Sequence, residues 1–292
     1  MGRDRRPTRA SRRGFVLLAI FVAGIWSAFQ LDLTPGGLVP GAGGLDLVGR
    51  FLGGAVRPAL SYEGESVPEG TIALPLKALQ AAHTTLVFAA AATSLSVLAG
   101  LLLAFLASTA WWTGDPAGAS SRAGRFFRRS LAPLLYGGAR LLIALLRSVH
   151  ELLWAVLFLA GFGFSHLGAL LAIAIPYAGT FAKVFSEMID EAPRDSADAL
   201  RGLGASPIQV FVFGLLPRAA PDMGAYALYR FECALRSSAI MGFFGFPTLG
   251  YYIAASSENF HYREVWTYLY ALFLLVVLVD WWSGALRRRF VA

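Results

Sequence analysis

The chain has 292 residues, of which 57% are hydrophobic and only 15% are charged. Soluble domains average about a quarter charged residues, so this composition argues against a soluble protein and indicates a membrane protein. A single cysteine excludes a disulfide framework and a cysteine-based metal site, and the four scattered histidines show no ligand spacing.

Six apolar segments approach the length of about 20 residues that a helix needs to cross a bilayer. These predicted spans are residues 14–30, 81–107, 134–162, 167–185, 219–244 and 266–282. The first is short and follows a basic stretch, so a secretory signal peptide is the alternative to a retained anchor. In the second span, Ala92, Ser96 and Gly100 are small residues at helical spacing, which predicts close helix packing.

Basic residues predict the orientation, because cytoplasmic loops of membrane proteins collect Lys and Arg. If both termini are cytoplasmic, 17 of the 25 basic residues lie in inner segments and four in outer segments. The net charge of +7 then reflects topology and does not indicate nucleic-acid binding. We therefore expect a multi-pass inner-membrane protein. Its expected parts are a basic N-terminus (1–13), an anchor (14–30), an outer segment (31–80) with a short surface helix at 45–52, a transmembrane domain (81–285) and a cytoplasmic tail (286–292).

Residues 190–217 predict two short helices joined by a sharp bend. Asp195 or Ser196 is placed to cap the first helix, and Gly204 to end it in a left-handed conformation. Ser206 is placed to cap the second helix, with Pro207 at its first position. The apolar positions of the first helix are Ala199, Leu200 and Leu203. By these signals alone, the segment is also compatible with an ordinary helix–bend–helix linker.

Residues 190–217, which we name the coupling segment, resemble the signature E-A-A-x3-G-x9-I-x-L-P of the permease subunits of ABC importers. The matching positions are Asp198, Ala199, Leu200, Gly204, Leu216 and Pro217. The sequence departs from the signature in having Asp198 for Glu, Leu200 for the second Ala and Gly214 for Ile. The resemblance implies an all-α, type I importer fold of about six transmembrane helices, in which this segment docks on an ATPase.

The resemblance also implies the partners of the chain. They are a pair of ATPase subunits, a second permease that is either identical or a paralogue, and a substrate-binding protein on the outer side. No G-x4-G-K-[ST] loop occurs in the sequence, so ATP and Mg are expected on the ATPase. We expect no cofactor, metal or catalytic residue on this chain.

Two further motifs resemble the phosphonate-import branch of these permeases. Residues 147–155 are similar to R-x-x-P-E-L-x-W-A, with His150 in place of the proline, and residues 229–237 are similar to Y-R-F-E-x3-R-S. The glycine-rich run of that branch is replaced by residues 244–250. The resemblance implies a phosphonate or related phosphorus oxyanion as cargo. The alternatives are an amino-acid permease of the methionine type and a membrane-embedded enzyme using His150, Glu151 and Glu232.

Five charged residues are predicted inside membrane spans, where an ionised side chain costs at least ~2.5–3.5 kcal/mol. They are Arg147, Glu151, Arg230, Glu232 and Arg236. We therefore expect them to face the protein interior or water. One interpretation is a path whose arginines attract an oxyanion; the other is that Arg147 or Arg230 pairs with Glu151 or Glu232 to lock helices together.

Overall fold

The computed structural model describes residues 12–33, 41–64, 70–109 and 131–291. Within these ranges the chain is helical and contains no strand, which confirms the predicted all-α class. The helices are α1 (Arg12–Gln30), α2 (Ala42–Val56), α3 (Leu74–Ala107), α4 (Ala132–Ser148), α5 (Glu151–Phe162), α6 (His166–Glu191), α7 (Asp195–Gly202), α8 (Pro207–Gln209), α9 (Leu216–Ile240), α10 (Leu249–Glu258) and α11 (Tyr262–Val291).

The chain divides into two compact units, residues 1–53 and 54–292. The first unit holds α1 and most of α2. The surface helix expected at 45–52 lies within α2, where Arg50 Nε donates a hydrogen bond of 2.9 Å to Asp46. Most of the predicted basic N-terminus and the basic loop at 122–129 lie outside the described residues.

Three of the described helices are long and apolar enough to cross a membrane: α3, α6 and residues Tyr262–Arg289 of α11. Helices α4 and α5 add a fourth crossing if they are counted together, but they meet at an angle of 89°. The prediction of one continuous third span is therefore wrong. The prediction of about six spans also counted α1, which is a shorter apolar helix, and α9, whose charged residues lower its hydropathy.

Helices α3 and α6 pack against each other along the core of the second unit, and small residues allow their close approach. Ala92 and Ser96 are fully buried. Ser96 Oγ donates a hydrogen bond of 3.0 Å to the carbonyl of Ala174 on the facing helix. A Cβ added at Gly100 would lie 3.2 Å from the carbonyl oxygen of Ala178. The predicted close-packing role of these three positions is confirmed.

Helix α9 ends at Ile240, earlier than the predicted span, and residues 241–248 form a tight return loop that leads into α10. Thr248 Oγ1 donates to the carbonyl of Ala239 (3.1 Å), and the Leu249 N–H donates to Thr85 Oγ1 on α3 (3.0 Å). A Cβ on Gly250 would overlap the Ala239 carbonyl oxygen. The Thr248 side chain thus satisfies a backbone carbonyl that the end of α9 leaves free, and Gly250 leaves room for the same carbonyl.

The return loop lies inside the bundle and not at its end. Glu232, eight residues before the end of α9, contacts Ser283, which is 21 residues along α11. At about 1.5 Å per residue these positions are ~12 Å from the end of α9 and ~32 Å from the start of α11. Helix α9 therefore stops roughly 20 Å short of the level at which α11 begins. A helix that ends within the bundle in this way is typical of the broken helices of membrane proteins.

Candidate functional site

The first helix of the coupling segment starts at Asp195, and its cap differs from the prediction. Arg194 is the N-cap residue, and no side chain caps the first turn. Ser196 Oγ instead accepts a hydrogen bond from Arg218 (3.2 Å), and Asp198 pairs with Arg201 at 2.7 Å. The predicted capping by Asp195 or Ser196 is therefore wrong, because Ser196 is used to tie α7 to the start of α9.

The bend of the coupling segment has the predicted conformation. Gly204 has a φ of +80°, a left-handed conformation that costs glycine little. Ser206 and Gln209 form a reciprocal capping box: Ser206 Oγ accepts from the Gln209 N–H (3.4 Å), and Gln209 Oε1 accepts from the Ser206 N–H (2.8 Å). Pro207 is the first residue of α8, as expected.

Beyond this bend the chain forms a π-helix, Val210–Leu215, where a plain α-helix was expected. Gly214, which departs from the family signature, lies within this π-helix. A Cβ there would lie 3.1 Å from the Cα of Ala197, so the glycine allows the π-helix to pack directly on α7. Ala197 is fully buried in this contact, and Leu200 is half-buried beside it. These contacts belong to the main hydrophobic core of the second unit, which therefore extends into the segment.

The opposite side of the coupling segment is apolar and exposed. Leu203 is 85% exposed, Phe213 is 70% exposed and Ile208 is 62% exposed. Of the remaining predicted coupling residues, Ala199 and Pro217 are exposed and Leu216 is half-buried. Exposed apolar side chains of this kind are typical of a surface that contacts another protein or the membrane.

A second site forms at the break between α4 and α5. Helix α4 ends at Ser148, and His150 caps α5 by accepting a hydrogen bond at Nδ1 from the Leu152 N–H (3.3 Å). His150 takes the proline position of the motif that residues 147–155 resemble, and it supplies a side-chain cap that proline lacks. Glu151, the first residue of α5, is thereby held at the bend.

Glu151 belongs to a chain of polar contacts that we name the central cluster, made of Glu151, Ser237, Tyr177 and Arg230. Ser237 Oγ donates to Glu151 Oε1 (2.9 Å) and lies 3.0 Å from the Tyr177 hydroxyl. The guanidinium carbon of Arg230 lies 4.2 Å from the centroid of the Tyr177 ring. Three helices, α5, α6 and α9, thus bring together residues from both phosphonate-type motifs.

Glu232 faces away from this cluster and joins α9 to α11. It accepts a hydrogen bond from Ser283 Oγ (2.6 Å) and pairs with Arg287 (3.2 Å), which also lies 3.6 Å from Asp280. Both intramembrane carboxylates therefore have partners other than those considered from the sequence. Within the described residues, neither Arg147 nor Arg230 forms an ion pair with Glu151 or Glu232.

The three predicted arginines have no carboxylate partner among the residues that the structure describes. Arg230 lies over the Tyr177 ring, and its Nε is buried without a hydrogen bond. Arg236 is exposed and reaches only Cys233 Sγ, at 3.6 Å. Arg147 is exposed at the end of α4. Sequence reasoning missed Tyr177, Ser283 and Arg287 as partners, because single polar residues in apolar or terminal stretches carry no pairing signal.

Comparison with known proteins agrees with this architecture. Residues 118–292 match the family described as "Binding-protein-dependent transport system inner membrane component". The chain is 33% identical over 208 residues to the phosphite transport system permease protein PtxC of Stutzerimonas stutzeri. The matched region covers 70% of this chain and 68% of that protein. It is 29% identical over 159 residues to the phosphate-import permease protein PhnE of Mycolicibacterium smegmatis, over 54% of this chain and 30% of that protein.

A solved structure shares the fold. A chain of the MetNI methionine ABC transporter, in an inward-facing conformation, superposes with a TM-score of 0.59 at 20% identity, over 77% of this chain and 99% of that chain. The predicted importer-permease fold is thereby confirmed. A permease of this kind works with an ATPase and a substrate-binding protein. The chain therefore belongs to the binding-protein-dependent transport system inner membrane components and is a permease subunit of an ABC importer, not itself an enzyme.

Proposed function

We propose that this permease carries a small phosphorus oxyanion, such as phosphite or a phosphonate, along a path that includes Arg147, Arg230 and Arg236. The observation that carries the proposal is the absence of a carboxylate partner for these three arginines in the described part of the chain. The name of the phosphite permease relative supports the same cargo.

The physical argument starts from the cost of charge in a membrane. Guanidinium groups stay ionised, so three arginines in this region leave positive charge that no carboxylate of the described residues pairs with. Glu151 is held by Ser237 and His150, and Glu232 by Ser283 and Arg287. An oxyanion is the natural counter-ion, because guanidinium offers paired donors that match its oxygens.

The coupling segment is the proposed contact for the ATPase, on which ATP and Mg are bound. Leu203, Ile208 and Phe213 supply an exposed apolar surface beside the bend at Gly204. The roles of Asp198, Ala199, Leu200, Leu216 and Pro217 in this contact follow from the family signature. A second permease, either an identical copy or a paralogue, completes the proposed complex.

We further propose that both termini and the coupling segment face the cytoplasm, as the distribution of basic residues indicates. In a Cys233→Ala background, a cysteine at exposed Ser206 should react only with reagents that enter the cytoplasm. A cysteine at exposed Ser257 should react from outside. Labelling of the Ser206 position from outside would reverse the orientation.

The oxyanion path is tested by comparing Arg236→Gln with Arg287→Gln in purified complexes reconstituted in liposomes. Arg236→Gln should leave the melting temperature and ATPase retention near wild type, and should lower phosphite or phosphonate uptake about tenfold or more, the worth of a charge-assisted hydrogen bond. Arg287→Gln is the matched control, because it removes the ion-pair partner of the half-buried Glu232 and should lower the melting temperature instead.

The double variants complete this test. Glu232→Gln should restore stability to Arg287→Gln, because it removes the unpaired carboxylate. Neither Glu151→Gln nor Glu232→Gln should restore uptake to Arg236→Gln. Such a rescue would show that Arg236 only neutralises a carboxylate, and uptake of an amino acid in place of both anions would overturn the proposed cargo.

A further inference from the structure

A cavity of about 200 Å³ lies at the end of the second unit that is opposite the coupling segment. The last turn of α3 lies beside the coupling segment, because Ser108 Oγ donates a hydrogen bond of 2.6 Å to Asp190, the first residue of that segment. The first turn of α3 therefore lies at the opposite end of the second unit. Helix α3 has 34 residues, or roughly 51 Å, against the ~30 Å of a hydrocarbon core. The helix is therefore longer than the hydrocarbon is thick, and its first turn carries Lys77 into the cavity wall.

Lys77 is the cation of this cavity. Its Nζ lies 5.2 Å from the centroid of the Tyr62 ring and 4.9 Å from that of Tyr252, so the ammonium is held by two aromatic faces. No carboxylate of the described residues forms an ion pair with it. The Tyr62 hydroxyl donates to the Ile72 carbonyl at 2.8 Å, and burial raises the pKa of this phenol.

Among the described residues, the carboxylates at the cavity already have partners, and one of them, Glu264, forms part of the cavity wall. Glu264, only 6% exposed, accepts from the Glu63 N–H (2.6 Å) and from Ser256 Oγ (3.1 Å). His261 Nδ1 lies 3.7 Å from the same carboxylate, and Glu63 pairs with Arg263 at 3.6 Å. Within the described residues these carboxylates are therefore bound by other groups, and none of them forms an ion pair with the ammonium of Lys77.

We propose that this cavity, which we name the end cavity, binds a small oxyanion through Lys77, with Asn259 and His261 as further polar groups of its wall. A volume of about 200 Å³ equals roughly seven water molecules of ~30 Å³ each, which accommodates an anion of four to six heavy atoms. The identity of the anion as the cargo, and the position of the cavity on the outer side, rest on the proposed function. The end cavity is then a second site, separate from the three arginines, that takes up the anion before it enters the path.

The chain offers a direct probe, because Lys77 and Lys183 are its only two lysines. Lys183 lies on α6, pairs with Glu187 and serves as an internal control. Reductive methylation with ¹³C-formaldehyde gives each lysine a separate NMR signal and keeps its charge. Complexes in lipid nanodiscs, without the binding protein, are titrated with phosphite or methylphosphonate, and in parallel with acetate at equal ionic strength.

We expect the Lys77 signal to shift saturably with the phosphorus anions and the Lys183 signal to stay in place. In liposomes, Lys77→Gln should raise the half-saturating anion concentration for uptake about tenfold, whereas Lys183→Gln should leave it unchanged. An unmoved Lys77 signal in complexes that still transport the anion would overturn the end cavity and leave the proposed cargo intact. The binding protein, free of cargo, is added in a separate titration. A Lys77 signal that shifts only in that titration would also overturn the proposal, because the cavity would then receive a side chain of that partner.

Discussion

The coupling segment and the central cluster are built in opposite ways. The coupling segment is one continuous stretch whose shape follows from neighbouring residues: a left-handed Gly204, a capping box at Ser206 and a proline at the next position. The central cluster takes Glu151, Tyr177 and Ser237 from three helices, and its members are separated by up to 86 residues. The first is exposed at the end of the second unit, and the second lies between helices.

This difference separates two kinds of sensitivity. A local bend depends on the backbone preferences of a few residues, so a substitution there changes its conformation without disturbing the helices. A cluster between helices depends on their relative placement, so a substitution that moves a helix removes several contacts together. Substitutions in the central cluster should therefore lower the melting temperature. Substitutions in the coupling segment should instead reduce retention of the ATPase.

The largest effect is expected for Gly250→Ala, beside the return loop that positions the end of α9. The added methyl group would overlap the Ala239 carbonyl oxygen, and a backbone atom cannot move aside as a flexible side chain can. Overpacking of this kind costs about 3 kcal/mol or more, so little folded complex should be recovered. Gly224→Ala, on α9 with no atom within 4 Å of the added methyl group, is the control and should be tolerated. A normal yield and melting temperature for Gly250→Ala would mean that the return loop is not held by packing.

A smaller effect, on function more than on folding, is expected for Gly204→Val. Its φ of +80° is strained for a β-branched residue, at a cost of about 1–3 kcal/mol, although the surroundings are open. The melting temperature of the transmembrane domain should change little, while transport and co-purification of the ATPase fall together. Gly202→Val, at a neighbouring glycine without positive φ, is the matched control. Normal uptake with normal ATPase retention would identify the segment as a plain linker.

The smallest effect is expected for Ser237→Ala, which removes the hydroxyl between Glu151 and Tyr177. Losing this bond should cost about 1–2 kcal/mol and lower the melting temperature by roughly 2–4 °C, because the carboxylate loses its donor. Ser257→Ala, at an exposed position, is the control. Tyr177→Phe should cost less than Ser237→Ala, because it leaves the contact between Ser237 and Glu151 in place. An unchanged melting temperature for Ser237→Ala would show that the cluster does not hold α9 against α5.

The sequence by itself determined the features that depend on composition and on short-range preferences. Its apolar content indicated a membrane protein, and Gly204, Ser206 and Pro207 predicted the bend, because left-handed φ, capping and a fixed proline φ act within a few residues. The motifs at 147–155 and 229–237 also identified the charged residues of the membrane region and the family to which the chain belongs.

Only the tertiary structure decided where helices break and which charges meet. The 89° bend after Ser148 and the early end of α9 require satisfied backbone groups, which Thr85 and His150 supply from positions that no local pattern relates. The pairing of Glu232 with Arg287, and the isolation of Lys77 between two tyrosine rings, depend on distances between helices far apart in sequence. Electrostatic partners are set by proximity in space, and helix packing creates that proximity.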